Sequence, residues 1–130
     1  MWNGINRRKF PRAKYKCLIY IKKKGSSKSI STYTENIGAG GICVIIKDNL
    51  ILFQGVNVEL FLEQDDSPIK CAGTVVWVVK KRPEKREEDY CYDTGIEFVN
   101  IEERERKKVL NVVEAILKNK PELLDKQKSM

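Results

Sequence analysis

The sequence predicts an all-β domain: a six-stranded antiparallel β-barrel followed by one C-terminal α-helix. Short turns join six short strand-like segments. Most of them alternate apolar and polar residues, whereas residues 42–46 and 74–79 are almost continuously apolar. One stretch near the end instead repeats its apolar residues at helical spacing. The chain has 130 residues, of which 42% are hydrophobic and 33% charged, and this suits one soluble domain with its own core.

Turn signals separate the predicted strands along the chain. The first turn, residues 22–27, is rich in lysine and contains Gly25, which can supply a positive φ. Because this connection is short, the first two strands are expected to pair antiparallel. The charged loop 80–89 is interpreted as solvated, with a ligand or partner contact as the alternative. The predicted strands are residues 13–21, 28–35, 42–46, 56–62, 69–79 and 90–99.

The predicted helix covers residues 100–117. Asn100 is its expected N-cap, and Glu103 stands where the acid of a capping box would reach back. Apolar residues that include Val109 and Val113 form one face of this helix, and the other face carries charges of both signs. We therefore expect the apolar face to pack on the barrel and not on a membrane.

Composition limits the classes of function. A net charge of +7 and a pI near 9.2 favour an anionic partner: a nucleotide, a nucleic acid, an acidic protein or an anionic membrane. The chain lacks histidine, and its four cysteines are widely spaced, which favours apolar core positions in a reducing cytoplasm over a metal or disulfide role. No nucleophile–base pair is visible, and no apolar run is long enough to span a bilayer. We expect a non-catalytic protein without metal or cofactor.

The chain opens with a basic arm. Residues 7–12 hold four cations and one aromatic residue, and Pro11 favours an extended backbone. The forked guanidinium groups of Arg8 and Arg12 can grip a phosphate or a guanine edge, although a solvated terminus would carry the same residues. The chain is thus divided into a flexible arm, a barrel with its helix, and a polar tail expected to fray. These parts are residues 1–12, 13–118 and 119–130.

A glycine-rich loop, residues 36–41, follows the second predicted strand. A hairpin of the first two strands would bring this loop beside Arg8 and Arg12. Asn36 offers an amide, and the glycines offer backbone N–H groups and conformations that other residues cannot adopt. Without a following helix or a Walker lysine, the loop is not a P-loop. A basic arm folded over such a loop predicts a site for a phosphorylated ligand.

The order and spacing of these motifs resemble the PilZ domain family. The family pattern is RxxxR in an N-terminal arm, followed one hairpin later by [D/N]xSxxG. The first motif is RKFPR at residues 8–12, and the second corresponds to NIGAGG at residues 36–41. The resemblance extends over residues 7–117. Further similar segments are GVNVEL at 55–60, GTVVWV at 73–78 and YDTGIEF at 92–98.

The resemblance implies a split barrel that binds the bacterial second messenger cyclic di-GMP, often as an intercalated dimer, and relays the signal to a partner protein. It implies that Arg8 and Arg12 hold phosphates and guanine edges, with a further contact from Arg7. Asn36 would hydrogen-bond a guanine, and Gly41 would allow close approach of the backbone. The implied ligand-binding residues are Arg7, Arg8, Arg12, Asn36, Gly38, Gly40 and Gly41, with Trp77 as a further candidate.

Gly38 departs from the family pattern, because a serine stands there in the motif. The missing hydroxyl would cost about 1.5–3 kcal/mol, roughly ten- to a hundredfold in affinity, and we expect weakened binding. The alternative is a PilZ-like interaction module that no longer binds the nucleotide. A third interpretation, ranked last, is a basic barrel for single-stranded nucleic acid, so we expect no nucleic-acid partner. Trp77 is either barrel core, which its apolar neighbours favour, or a rim aromatic near the guanine.

Overall fold

The computed structural model describes residues 11–62 and 67–125. The predicted arm residues before Pro11, including Arg7 and Arg8, lie outside the described residues. The described elements are β1 (Arg12–Lys14), β2 (Leu18–Lys23), β3 (Ser29–Gly38), β4 (Gly41–Ile46), β5 (Gly55–Phe61), β6 (Ile69–Lys81), β7 (Cys91–Phe98), helix α1 (Glu103–Asn119) and a 3-10 turn (Pro121–Leu123).

Six of these strands close into a barrel. Hydrogen-bonded neighbours follow the order β3-β2-β5-β6-β7-β4, every pairing is antiparallel, and β4 pairs back with β3 to close the ring. The short β1 precedes β2 along the same edge of β3, pairs with the end of β3 and contributes Ala13 to the core. Because the ring is closed, each of the six strands has a hydrogen-bonded neighbour on both sides. Their inward side chains form the core. The fold class predicted from the sequence is confirmed.

The first predicted strand is divided into β1 and β2 by a buried threonine. The Thr34 hydroxyl donates to the carbonyl of Tyr15 at 2.6 Å and accepts from the backbone N–H of Cys17 at 3.1 Å. These bonds replace regular ladder pairing at the break between the two strands. The alternation of apolar residues continues through the break, so the sequence pattern does not reveal it.

Helix α1 begins later than predicted. Its N-cap is Glu102, whose side chain makes no capping hydrogen bond, so the prediction of Asn100 as N-cap is wrong. The reason lies in the sheet: the N–H of Val99 still donates to the carbonyl of Ala72 at 2.9 Å, and the chain leaves the barrel only after this bond. The apolar face is as predicted, with Val109 and Val113 buried in the core.

The residues after the helix return to the barrel. Leu124 forms a β-bridge with Ala13, and the N–H of Asp125 donates to the carbonyl of Arg12 at 2.8 Å. The expectation of a frayed tail is therefore wrong for residues 120–125. As a result the backbone of Arg12 is held between β3 and this returning segment. Within the described ranges, no helix is long and apolar enough to cross a membrane.

Replacing Thr34 with valine tests the role of this residue at the division. Valine keeps the shape but removes the hydroxyl that accepts from the Cys17 N–H and donates to the Tyr15 carbonyl. We expect the free energy of unfolding to fall by about 2–4 kcal/mol, measured by urea denaturation. Thr32→Val, on the same strand but half-exposed, is the control and should change stability by about 0.5 kcal/mol or less. Equal effects of the two substitutions would contradict this role.

Candidate functional site

A β-bulge in β3 turns Asn36 to the outside of the barrel. Thr34 lies opposite Val44, and Asn36 lies opposite Cys43, so β3 carries one extra residue between two pairs that are adjacent on β4. In a regular strand Asn36 would share the inward face of Thr34, since side chains two apart point the same way. The bulge reverses the alternation, as bulges do where a side chain must be re-aimed.

A second bulge does the same for Trp77 in β6. Val75 lies opposite Ile96 in the core, whereas Trp77 lies opposite Gly95, which again leaves one extra residue. Trp77 consequently leaves the inward face that Val75 occupies, and it is half-buried. The interpretation of Trp77 as barrel core is wrong, and the structure agrees with the alternative of an aromatic side chain on the rim.

The two bulges place four residues in one row across the outer face. Asn36, Cys43, Gly95 and Trp77 are successive cross-strand neighbours on β3, β4, β7 and β6. The Trp77 ring lies against Gly95, where a β-carbon would come within 2.4 Å of the ring. Only glycine leaves room for the indole in this position. The Trp77 Nε1–H also donates to Asp93 Oδ1 at 3.3 Å, which fixes the direction of the ring.

Arg12 approaches the same row from β1. Its Nη1 donates to Asn36 Oδ1 at 3.2 Å, and its guanidinium carbon lies 5.7 Å from the centroid of the Trp77 ring. The stem of Arg12 passes over Gly38, where a β-carbon would lie 2.7 Å from Arg12 Cγ and 3.0 Å from the carbonyl oxygen of Pro11. The prediction that the hairpin brings Arg12 beside the 36–41 loop is confirmed.

Cys43 lies beneath Arg12 and Trp77 in this row. Its thiol donates to Asp93 Oδ1 at 2.9 Å, and it is buried although it faces outward. Burial, and then the hydrogen bond and negative charge of Asp93, raise the pKa of Cys43 far above its usual range. The thiol is thus a protonated donor and not a nucleophile. Asp93 accepts from both Cys43 and Trp77 and joins the two central residues of the site.

The glycines of the 36–41 loop serve packing more than unusual backbone shape. In the part of the chain that the structure describes, positive φ is found at Gly25 and Phe53, and at none of Gly38, Gly40 and Gly41. The expectation of special conformations in this loop is therefore wrong, whereas that for Gly25 is confirmed. A β-carbon at Gly41 would lie 2.3 Å from the carbonyl oxygen of a β7 residue, and the Gly40 carbonyl accepts the N–H of a second one at 2.9 Å. The close approach of β7 accounts for the glycine at position 41, whereas any residue could supply the carbonyl at position 40.

Sequence reasoning missed Asp93 and Cys43 as members of the site. Cys43 was predicted to be a core residue, which is correct for its burial but not for the face on which it lies. Asp93 stands two residues before Gly95, so the two share one face of β7. An acidic residue beside a glycine on the same strand face was the sequence signal that could have indicated Asp93 as a site residue. Among residues 11–62 and 67–125, no cluster of side chains could hold a metal ion.

The sequence model of the PilZ domain family matches residues 6–115. The match covers most of the chain, which therefore belongs to the PilZ domain family. It includes the RxxxR segment, the glycine-rich hairpin, both bulged strands and most of helix α1. A search of curated protein sequences finds no match.

Solved structures share the fold at low sequence identity. The Bacillus subtilis inhibitor of motility, MotI/DgrA, superposes with a TM-score of 0.69 and 20% identity over 88% of this chain and 53% of its own. The PilZ domain of YcgR from Escherichia coli, solved with c-di-GMP, gives 0.66 and 10% over 89% and 95%. The K. pneumonia MrkH–c-di-GMP complex gives 0.67 and 17% over 89% and 55%. The chain spans about half the length of MotI/DgrA and MrkH.

The state of Cys43 can be measured by alkylation followed by peptide mass spectrometry. Because its pKa is raised far above the usual range, Cys43 should react with iodoacetamide at about pH 8 more slowly than Cys71, whose burial raises its pKa to about 11. Asp93→Ala removes a hydrogen bond and a negative charge, and it should speed alkylation of Cys43 and leave Cys71 unchanged. Equal acceleration at both cysteines would indicate general loosening and contradict the assignment.

Proposed function

We propose that this chain is a non-catalytic cytoplasmic receptor for cyclic di-GMP that passes the signal to a partner protein. The observation that carries the proposal is the position of the Arg12 guanidinium, which lies beside Asn36 and near the Trp77 ring. Here the two motifs of the family, far apart in the sequence, come together at one outer-face site.

The three side chains suit the parts of a guanine nucleotide. A guanidinium fork can bind a phosphate or the O6 and N7 edge of guanine in two places. The Asn36 amide can donate and accept at a base edge, and the Trp77 indole offers an aromatic face to a base. Arg7 and Arg8, outside the described residues, would add charge from the arm, as the family motif implies.

Membership of the family and the solved relatives support this choice of ligand. The YcgR PilZ domain was solved with c-di-GMP, and MrkH as a c-di-GMP complex. This chain shares their fold and retains Arg12 and Asn36 at the motif positions. An intercalated dimer of the ligand would present several phosphates and guanine edges at once, which suits an arm that holds more than one arginine.

Calorimetric titration with cyclic di-GMP tests the proposal. We expect saturable heat at ligand concentrations on the order of tens of micromolar or below. Arg12→Ala removes a charged fork and should lower affinity by about a hundredfold or abolish the heat, and Asn36→Ala should lower it by about tenfold. Arg82→Ala, an exposed arginine in the β6–β7 hairpin, is the matched control and should bind like the wild type.

Two outcomes of this titration would contradict the proposal. Absence of heat with the wild-type chain would exclude a receptor of useful affinity. Equal weakening by Arg12→Ala and Arg82→Ala would show that general positive charge, and not the site, attracts the nucleotide. A separate titration with a single-stranded oligonucleotide tests the nucleic-acid interpretation. Nucleic-acid binding would fall steeply with salt and increase with strand length.

The second candidate function is an interaction module that has lost the nucleotide. The observation that favours it is Gly38, because the Arg12 stem occupies the space where the side chain of the family's serine would begin. In this chain Arg12 already bonds Asn36 across that glycine. On this interpretation the site is closed by its own arginine, and the chain acts by protein contact alone.

Gly38→Ser, with Gly38→Ala as its control, distinguishes the two candidates in the same titration. Both substitutions add the β-carbon that displaces the Arg12 stem, but only serine restores the hydroxyl. If the chain is a receptor, the wild type binds, and serine should bind about tenfold or more tightly than alanine. Heat with the serine variant alone, and none with wild type, would favour the interaction module.

A further inference from the structure

The β4–β5 loop exposes three consecutive large apolar side chains. Ile51 is 70% exposed, Leu52 48% and Phe53 72%. The preceding residue, Leu50, is 2% exposed and anchors the loop in the core. We call Ile51, Leu52 and Phe53 the apolar tip. The tip belongs to the barrel end where β4 finishes and β5 begins, whereas the glycine-rich hairpin lies at the other end.

The apolar tip is held rigidly outward by a closed turn. The N–H of Gln54 donates to the Ile51 carbonyl at 3.0 Å, and the N–H of Ile51 donates to Gln54 Oε1 at 3.0 Å. The turn is bound to β6 as well, because the N–H of Phe53 donates to the Val75 carbonyl at 2.7 Å and Val75 donates to the Gln54 carbonyl at 3.0 Å. A surface ordered in advance loses little conformational entropy when something binds it.

Phenylalanine at position 53 does not favour the backbone conformation of this turn. Its φ is 68°, in the left-handed region where glycine or asparagine is favoured and a bulky side chain is strained. The ring is 72% exposed, so burial within the barrel offsets little of this strain. A strained aromatic side chain that faces solvent indicates contact with something outside the chain.

Lysines lie in the β2–β3 hairpin beside the loop and within the loop itself. The β2–β3 hairpin lies beside the loop, since the N–H of Lys24 donates to the carbonyl of Gly55 at 3.4 Å and Lys23 lies opposite Val56. Residues 22–28 and 47–54 together carry five cations and one carboxylate. They are Lys22, Lys23, Lys24, Lys28, Lys47 and Asp48.

We propose that the apolar tip and these lysines dock the chain on an anionic lipid surface. The tip protrudes and is small enough to enter the boundary between headgroups and acyl chains. Flexible lysines around it match a diffuse layer of negative headgroups, and each adds roughly fivefold to binding near such a surface. The tip is bound to β6 two residues before Trp77, but it shares no residue with the nucleotide site. Vesicle binding is measured without cyclic di-GMP, so this proposal is tested separately from nucleotide binding.

Co-sedimentation with lipid vesicles tests the proposal. One set of vesicles contains phosphatidylglycerol and phosphatidylcholine in equal parts, and the other contains phosphatidylcholine alone. We expect the wild-type chain to pellet with the anionic vesicles and to remain in solution with the neutral ones. Raising the salt concentration should weaken the binding, because screening shortens the reach of the lysines.

Phe53→Asn separates docking from folding. Asparagine tolerates the left-handed conformation, so the melting temperature should stay equal or rise while vesicle affinity falls about tenfold. Tyr33→Ser removes an exposed aromatic ring from β3 and is the matched control, with binding unchanged. Lys24→Gln combined with Lys28→Gln should weaken binding, whereas Lys107→Gln with Lys118→Gln on helix α1 should not.

Three results would overturn the proposal. The wild-type chain could fail to pellet with anionic vesicles. Phe53→Asn could bind them as tightly as wild type, which would show that the lysines bind the vesicles without a contribution from the apolar tip. Sedimentation equilibrium could show a wild-type dimer that Phe53→Asn converts to a monomer without loss of vesicle binding, which would assign the apolar tip to a second copy of the chain.

Discussion

Two inserted residues determine what this barrel presents on its outer face. A strand alternates its side chains between inside and outside, and it can change that alternation only by gaining a residue. β3 gains one before Asn36, and β6 gains one before Trp77. Without the bulges both side chains would join Thr34 and Val75 in the interior. The site is therefore a consequence of two local departures from regular pairing.

The glycines follow from this arrangement. Once Trp77 and Arg12 lie flat along the outer face, the strands beneath them must lack side chains, and Gly95 and Gly38 meet that requirement. Gly41 is required for a different reason, because the backbone of β7 approaches it too closely for a β-carbon. The motif at residues 36–41 thus combines Gly38, which leaves room for the Arg12 stem, with Gly41, which lets β7 approach.

Much of the fold could be predicted because its determinants are local. Alternation and turn residues predicted the six barrel strands, and helical spacing predicted the buried face at Val109 and Val113. The hairpin argument also brought Arg12 beside the glycine-rich loop. A bulge leaves no trace in one sequence, since the extra residue looks like any other, and the apolar neighbours of Trp77 therefore favoured the core over the rim. The strand break at Thr34 and the return of Leu124 to β1 are long-range contacts, which alternation cannot show.

A ligand at Arg12 must replace interactions that this arginine already makes in the free chain. Arg12 bonds Asn36 through its charged guanidinium and lies near Trp77, interactions worth about 1.5–3 and 0.5–2 kcal/mol. A phosphate bound by both arms of the fork would supply two charge-assisted bonds of about 1.5–3 kcal/mol each. The exchange favours an anion that engages the whole fork, and it is unfavourable for a ligand that offers one weak acceptor. In the proposed receptor, a pre-engaged arginine would therefore select ligands with several acceptors, because only these compensate for the hydrogen bond and the ring interaction that Arg12 gives up.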